Sequence, residues 1–324
     1  MNLKTLNYFL VTAEEMNFTR ASEKLHVTQQ SLSGSIKRIE EEYGVELFQR
    51  KPFLRLTPSG EMMVFYARQI LKSEAQMMAG FADLSANCVG HLNLGMSRQR
   101  SGIFFPGIWE RYHPFYKNIS IHVHESVTTS MMEALQTGDL DMFVGVDVAP
   151  MNNLSVIPLT TERMLCFVSE RILKEYMGGS WETFLTESFE TGVDLLTLKD
   201  LPFLMLPKGN RIRFTAEQVF ARGSAMPRII LETSEQNTLY RLACEARGVA
   251  LFTPMVLYGH AHGNLRWPDD CHLLSIKNEI AVNQVSLVSR KDIPLPHYAD
   301  GMRNAIIREF ESYTLEMEQI MKEL

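Results

Sequence analysis

Cysteine is scarce in this chain: 324 residues hold four, Cys88, Cys166, Cys244 and Cys271, far apart and with no C-x-x-C. That pattern excludes a disulfide-stapled fold and points to four unpaired thiols in a reducing cytoplasm. No apolar run approaches a membrane span. The opening MNLKTLNYFL reads as the start of an amphipathic helix, not as a leader peptide. Catalytic signatures are missing too: there is no G-x-S-x-G, no P-loop and no dinucleotide fingerprint. His122 with His124, His260 with His262, and Cys271 with His272 match no zinc spacing and have no carboxylate cluster beside them, so they read as isolated surface residues. These absences leave no basis for an enzyme, a metal or a cofactor. Positive charge is also in short supply. The net charge is −6; residues 1–60 hold eight Lys and Arg against seven Asp and Glu, which leaves the remainder at −7.

What is present is concentrated in residues 17–50, NFTRASEKLHVTQQSLSGSIKRIEEEYGVELFQR. The pattern predicts a short helix over 19–25, a break at His26-Val27 and a second helix over 29–43 that stops at Gly44, a residue suited to the left-handed position past a helix end. Thr28 is a natural N-cap, and Val27 and Leu32 have the spacing of a hydrophobic staple. Leu32, Ile36 and Ile39 share one face. The other face carries Gln29, Gln30, Ser33, Lys37 and Arg38, whose side chains suit base edges and phosphates in a major groove. This is the pattern of a helix-turn-helix whose second helix does the reading. Arg50, Lys51 and Arg55 flank KPFLRL, an extended run fit to form a wing on the DNA backbone. Arg20, Thr28 and Ser31 complete the candidate DNA-contacting set. With so little net positive charge, the cations must gather on one face with Glu40, Glu41 and Glu42 turned elsewhere, and affinity must come from two copies acting together.

The sequence resembles the LysR-type transcriptional regulators. The residues that carry the resemblance are FTRASEKLHVTQQSLSGSIKRIEEEYGVELFQR and LTPSGE at 56–61, then GHLNLG at 90–95, LQTGDLDMFVG at 135–145 and GVALFTP at 248–254. It is dense in the first 60 residues and sparse afterwards. It implies an α/β protein with an N-terminal all-α winged helix-turn-helix, a long linker helix and a two-lobed α/β effector domain like the periplasmic binding proteins. It also implies a homotetramer built as a dimer of dimers, with promoter or operator DNA and a small-molecule effector as partners and RNA polymerase as a further candidate. Some relatives sense oxidants through a cysteine pair. The family often has Pro or Ser where this chain has Gln30, and a larger polar or basic residue where it has Gly34. Losing a side chain at Gly34 shifts base reading toward Gln29, Gln30 and Ser33 and costs the helix about 1 kcal/mol relative to Ala.

Residues 1–58 form the expected DNA-binding domain, with a first helix over 2–14 whose Leu3, Leu6, Phe9, Leu10 and Ala13 pack against Leu25, Leu32 and Ile36. From Ser59 to Asn87 there is no Pro, and Met62, Met63, Phe65, Tyr66, Ile70, Leu71, Met77, Met78, Phe81 and Leu84 offer more apolar surface than a lone helix leaves in water. Residues 59–89 therefore read as a linker and dimerisation helix ending in a hinge at 87–90. From residue 90 strands and helices alternate, the mark of an α/β domain with mostly parallel strands. Strands are expected at 92–96, 119–123, 142–146, 164–169, 203–206, 228–231, 249–253 and 284–289. Helices are expected at 102–113, 129–138, 213–222, 235–247 and 297–321. Lobe I is expected at about 90–162 and 269–324, and lobe II at about 163–268. Residues 170–201 exceed the family's usual connection and include an inserted short helix.

Ligands in open α/β folds sit at the carboxyl ends of strands, near helix N-termini. Those places are 97–102, 126–129 and 233–237, faced by 203–208. In SRQRSG, Ser97 and Ser101 offer hydroxyls and Arg98 and Arg100 positive charge; with Ser126, Thr128, Thr129, Lys208 and Thr233 they favour a small carboxylate-bearing metabolite. A ligand-independent DNA-binding regulator is the alternative reading. A solute-binding protein or an α/β enzyme would need an export signal or catalytic groups that the sequence lacks.

Overall fold

The structure, a computed structural model, describes residues 2–51, 53–83, 89–261, 268–277, 282–293 and 295–323. Part of the expected hinge, Leu84, Cys88 and His262 lie outside the described residues.

The N-terminal elements follow from their caps. Helix α1 (Leu3–Glu15) starts where the Asn2 side chain accepts the Thr5 N–H, and it ends on Met16 in the left-handed region. Helix α2 (Phe18–Lys24) is capped by Asn17, which accepts from the N–H groups of Thr19 and Arg20. His26 then takes φ 52°, a left-handed turn residue. Helix α3 (Gln29–Tyr43) begins at Thr28, whose hydroxyl oxygen accepts the Ser31 N–H, and stops at Gly44 with φ 65°. Leu32, Ile36 and Ile39 are buried, and Val27 packs on Leu32 as a staple requires. Leu3 departs from expectation: it is 39% exposed, because α1 turns Leu6, Phe9 and Leu10 inward instead.

Strands β1 (Phe48–Gln49) and β2 (Arg55–Leu56) pair antiparallel, Phe48 with Leu56 and Gln49 with Arg55. Helix α4 (Pro58–Asp83) starts on Thr57, which accepts the Gly60 N–H at 3.0 Å and donates to the Glu46 carbonyl at 2.6 Å. Pro58 stands at the first helical position, where its missing N–H costs nothing. Met63, Val64 and Leu71 pack on the α1 core.

Beyond α4 come β3 (Gly90–Met96), α5 (Arg98–Tyr112), β4 (Ile119–Glu125), α6 (Thr128–Thr137), β5 (Met142–Val146), β6 (Leu154–Arg163), β7 (Leu165–Ser169), α7 (Glu170–Met177) and α8 (Trp181–Thr191). Then come β8 (Pro202–Met205), α9 (Arg211–Arg222), β9 (Arg228–Glu232), α10 (Gln236–Cys244), β10 (Val249–Phe252), α11 (Met255–Ala261), β11 (Cys271–Ser275), β12 (Val282–Arg290) and α12 (His297–Glu323). One five-stranded sheet has the order β4-β3-β5-β12-β6 and the other β11-β7-β10-β8-β9. In the second, β8 runs parallel to β9 and β10, and β7 is antiparallel to β10 and β11.

Two strands escape the sequence pattern, β6 and β11, and both are sheet edges. An edge strand is half wetted and tolerates proline, here Pro158, so β6 shows no clean alternation. Helix α5 begins at Arg98, four residues before its expected start, so SRQRSG is largely helical and not a loop.

The chain divides into two compact units. One comprises Met1–Gly95, His113–Phe143 and Ser289–Met302; the other comprises Met96–Tyr112, Val144–Val288 and Arg303–Leu324. Within the first, Lys72 of α4 lies 2.7 Å from Asp141 and donates to the carbonyls of Gly138 and Leu140, just past the end of α6. A cation there also meets the negative end of the α6 dipole. Within the second, α5 packs against α12: Phe104 stacks on Phe310 at 4.4 Å, and Arg111 Nη1 lies 2.6 Å from Glu309 Oε2 while its N–H is aimed at the Gly107 carbonyl.

Two helical glycines separate propensity from packing. At Gly34 an added Cβ meets nothing within 4 Å, whereas at Gly60 it lies 2.2 Å from the Leu47 carbonyl oxygen. Gly34→Ala is expected to stabilise the chain by about 1 kcal/mol, and Gly60→Ala to destabilise it by about 1–3 kcal/mol through overpacking. Urea unfolding followed by circular dichroism checks the order; two changes of the same sign would contradict it.

Candidate nucleic-acid interface and ligand cleft

On α3 the buried stripe of Leu32, Ser35, Ile36 and Ile39 leaves Gln30, Gly34 and Lys37 on the outward side, one turn apart. Gln29, Gln30, Ser31, Lys37 and Arg38 are exposed, and Ser33 is half-buried. The Gln29 and Gln30 side chains have no hydrogen-bond partner among the described residues, so their amides are available to base edges. Thr28 is occupied as the N-cap. Arg38 donates to the Gly34 carbonyl and the Ser35 hydroxyl, on the flank toward α1.

The cations are less free than the sequence suggests. Arg50 lies 2.9 Å from Glu40, Lys37 lies 3.3 Å from Glu41, and Arg20 lies 2.7 Å from Glu15. Glu40 and Glu41 are therefore not turned away: they neutralise two of the expected phosphate contacts. The reason is local. Glu41 follows Lys37 by one helical turn, and Glu40 accepts the N–H groups of Leu47 and Phe48, which puts its other oxygen beside Arg50. Lys24, with Arg20 beside it, holds the Glu15 carboxyl below its usual range. The Lys37–Glu41 pair is exposed and weak, the carboxylates of Glu40 and Glu15 are partly buried, and phosphate can displace any of the three only by exchanging one anion for another. Lys51 has no ion-pair partner among the described residues, and Arg55 donates only to Gln49, at 2.8 Å across the β1–β2 pair. Among the described residues, neither of these two wing cations is held by a carboxylate.

The second unit holds a cleft of about 430 Å³, a size suited to a small metabolite. It is lined by Arg98, Gln99, Gly102, Ile103 and Pro106 of α5, by Ser234, Glu235, Gln236 and Asn237 at the start of α10, and by Val256 of α11. Arg98 and Glu235 face each other at 3.6 Å, both largely exposed. Gln236 is 6% exposed, and neither its amide nitrogen nor its amide oxygen has a partner among the described residues.

Of the nine residues expected to hold a ligand, Arg98 lines this cleft. Arg100 does not. The helix begins at Arg98, so Arg100 is turned about 200° from it and buried at 7% exposure, 2.7 Å from Glu162, which is 1% exposed. The other Glu162 oxygen accepts the Tyr313 hydroxyl at 3.3 Å. Burial, and then the Glu162 charge, pushes the Tyr313 pKa well above its ordinary value, so the phenol remains a donor. Ser97 accepts the Arg100 N–H at 3.4 Å, and its carbonyl accepts from Ser101. Both serines thus shape the first turn of α5. Thr233 accepts the Glu235 N–H, and Lys208 is exposed outside the lining. Ser126, Thr128 and Thr129 belong to the other unit, at the start of α6. The sequence pointed to the segments 97–102 and 233–237, but not to Glu235, Gln236, Ile103 or Pro106. Helical period applied from residue 98 would have found the α5 residues.

His122 and His124 lie with ring centroids 4.3 Å apart on β4, and no group of three metal-binding side chains occurs among the described residues. His272 is not isolated: it contacts Glu170 at 3.2 Å. No described helix is long and apolar enough to cross a membrane.

Comparison with known proteins gives a consistent picture. A family model described as "LysR substrate binding domain" matches residues 87–311, and one described as "Bacterial regulatory helix-turn-helix protein, lysR family" matches residues 3–61. The chain is 26% identical over 308 residues to the HTH-type transcriptional regulator EstR of Acinetobacter baylyi, covering 95% of this chain and 96% of that one. It is similar in fold to full-length OxyR from Pseudomonas aeruginosa, with TM-score 0.64 at 22% identity over 94% of each chain. Full-length LysG from Corynebacterium glutamicum with bound effector Arg gives 0.63 at 17% identity, covering 96% of this chain and 99% of that one.

The two arginines of SRQRSG should behave oppositely. Arg100→Met strands Glu162 as an unpaired buried charge and is expected to cost about 3–5 kcal/mol. Arg98→Met removes an exposed pair and is expected to cost less than about 1 kcal/mol. Urea denaturation of the two variants measures the difference; equal losses would contradict the assigned placements.

Proposed function

The chain belongs to the LysR family of DNA-binding transcriptional regulators, which are not enzymes, and from that premise we propose how its parts divide the work. Residues 1–58 bind promoter or operator DNA, 59–89 link and dimerise, and 90–324 receive a small effector. The observation that carries the DNA reading is the outward row of Gln30, Gly34 and Lys37 on α3, together with the exposed Lys51 and Arg55 on the wing. Gln29, Gln30 and Ser33 read bases; Arg38, Lys51 and Arg55 hold phosphates; Arg20, Lys37 and Arg50 join them by giving up Glu15, Glu41 and Glu40.

The exposed apolar side chains of α4 support self-association. Met62, Tyr66, Met77 and Met78 are each more than half exposed, more apolar surface than a helix leaves in water without a partner. A second α4 is the proposed partner, and a dimer of such dimers the proposed assembly. Two half-sites would then be read at a spacing set by α4. RNA polymerase is the proposed downstream partner at the promoter.

A carboxylate-bearing metabolite bound in the α5–α10 cleft is the proposed signal. Helix α5 presents one face to the cleft and ties the opposite face to β6 and α12 through Arg100–Glu162, Arg111–Glu309 and the Phe104–Phe310 stack. A ligand that pulls on the first face moves these elements as one body. The switch works to the extent that the ligand binds one arrangement better than the other. Thiol-based sensing suits the described cysteines poorly. Burial pushes the Cys166 and Cys271 thiols up to about 12 each, and raises Cys244, so the reactive thiolate is scarce.

Site roles are separable on DNA. Against a duplex selected from random sequence by the protein itself, Gln30→Ala is expected to narrow the gap between selected and random DNA. Arg55→Ala is expected to weaken both alike and to reduce the salt slope by about 1. Fluorescence anisotropy at several salt concentrations reads both effects, and identical behaviour of the two variants would overturn the division of roles.

A further inference from the structure

We propose that the α5–α10 cleft selects a zwitterion, an α-amino acid, whose carboxylate meets Arg98 and whose ammonium meets Glu235. The inference rests on reading this cleft as the effector site, and it narrows the ligand class. Three observations carry it. First, the cleft has no net charge: Arg100 is turned away to Glu162, which leaves Arg98 as the lining cation with Glu235 opposite it. A plain carboxylate would take Arg98 and leave Glu235 facing a like charge. An amino acid satisfies both, replacing one loose pair at 3.6 Å with two charge-assisted contacts.

Second, Gln236 is 94% buried by its 6% exposure, lines the cleft, and has neither amide atom partnered among the described residues. A buried amide in that condition is costly unless something arrives to pair it. A group that both donates and accepts is needed, and the ammonium and carboxylate of one amino acid supply a donor and an acceptor a few bonds apart. Third, Ile103, Pro106 and Val256 complete the lining with apolar surface, which fits an aliphatic side chain. Charge balance and the idle amide therefore ask for the same ligand, and an organic acid answers only part of it.

The test uses the full chain. Thermal shift against the twenty L-amino acids is followed by calorimetric titration of the best one beside its 2-hydroxy acid and its decarboxylated amine. The amino acid is expected to bind at least about tenfold more tightly than either analogue. Glu235→Gln should remove most of its advantage over the 2-hydroxy acid. Gln236→Leu should weaken it by about tenfold while the ligand-free melting temperature holds or rises, since a merely structural glutamine would lower it. Preferential binding of simple carboxylates overturns the zwitterion and leaves the effector site standing, whereas amino-acid binding within twofold of the parent in both variants places the ligand elsewhere and overturns the zwitterion and this cleft as its site. The same thermal-shift screen is run with a panel of simple organic acids, and absence of binding by every amino acid and every organic acid overturns both.

Discussion

A guanidinium and a carboxylate taken out of water must find each other, and much of the second unit follows from where they do. Arg100 meets Glu162 with both side chains almost fully enclosed. The pair is weak evidence for stability, because desolvating both charges costs about as much as their attraction returns. What it determines is rotation. With Arg100 pinned inward, Arg98 and Gln99 must point out, and a turn later so must Gly102 and Ile103. The cleft residues of α5 are the complement of its buried ones. Arg111 with Glu309 repeats the device near the helix end, so α5 is held at both ends in one setting.

The same economy of charge operates on the DNA-reading side, with the opposite outcome. There the cations stay open to solvent, Lys37 beside an exposed Glu41 and Arg50 beside a partly buried Glu40, where a phosphate can compete for them. A surface that neutralises part of its own positive charge has less attraction for arbitrary DNA, because non-specific binding is almost wholly electrostatic. The exposed amides of Gln29 and Gln30, which we propose read bases, are untouched by that cancellation. The weak net charge of the first 60 residues is thus compatible with selective binding, provided that two copies act together.

Residues 2–51 were largely legible because every boundary there has a local cause: Thr28 and Gly44 end α3, and Leu32, Ile36 and Ile39 declare its buried face. Strands buried on both sides were legible as short apolar runs, as at 142–146 and 249–252. Edge strand β6 was not, since half-wetted chain carries a mixed pattern, and the five-residue edge strand β11 was missed although most of it is buried. Topology pointed to 97–102 and 233–237, segments that contribute to the α5–α10 cleft, but not to most of the side chains that line it.

By itself, then, the sequence determined the helix-turn-helix, the long helix that follows it, the alternation of strands and helices, and the family. Those rest on caps, periodicity and turn residues, which act within a few positions of the chain. Tertiary structure decided which of two neighbouring arginines faces the cleft, and that Glu235 and Gln236 stand across from Arg98. Each of these joins residues far apart in the chain or depends on the rotation of a whole helix, and that rotation is set by the buried charge it must satisfy.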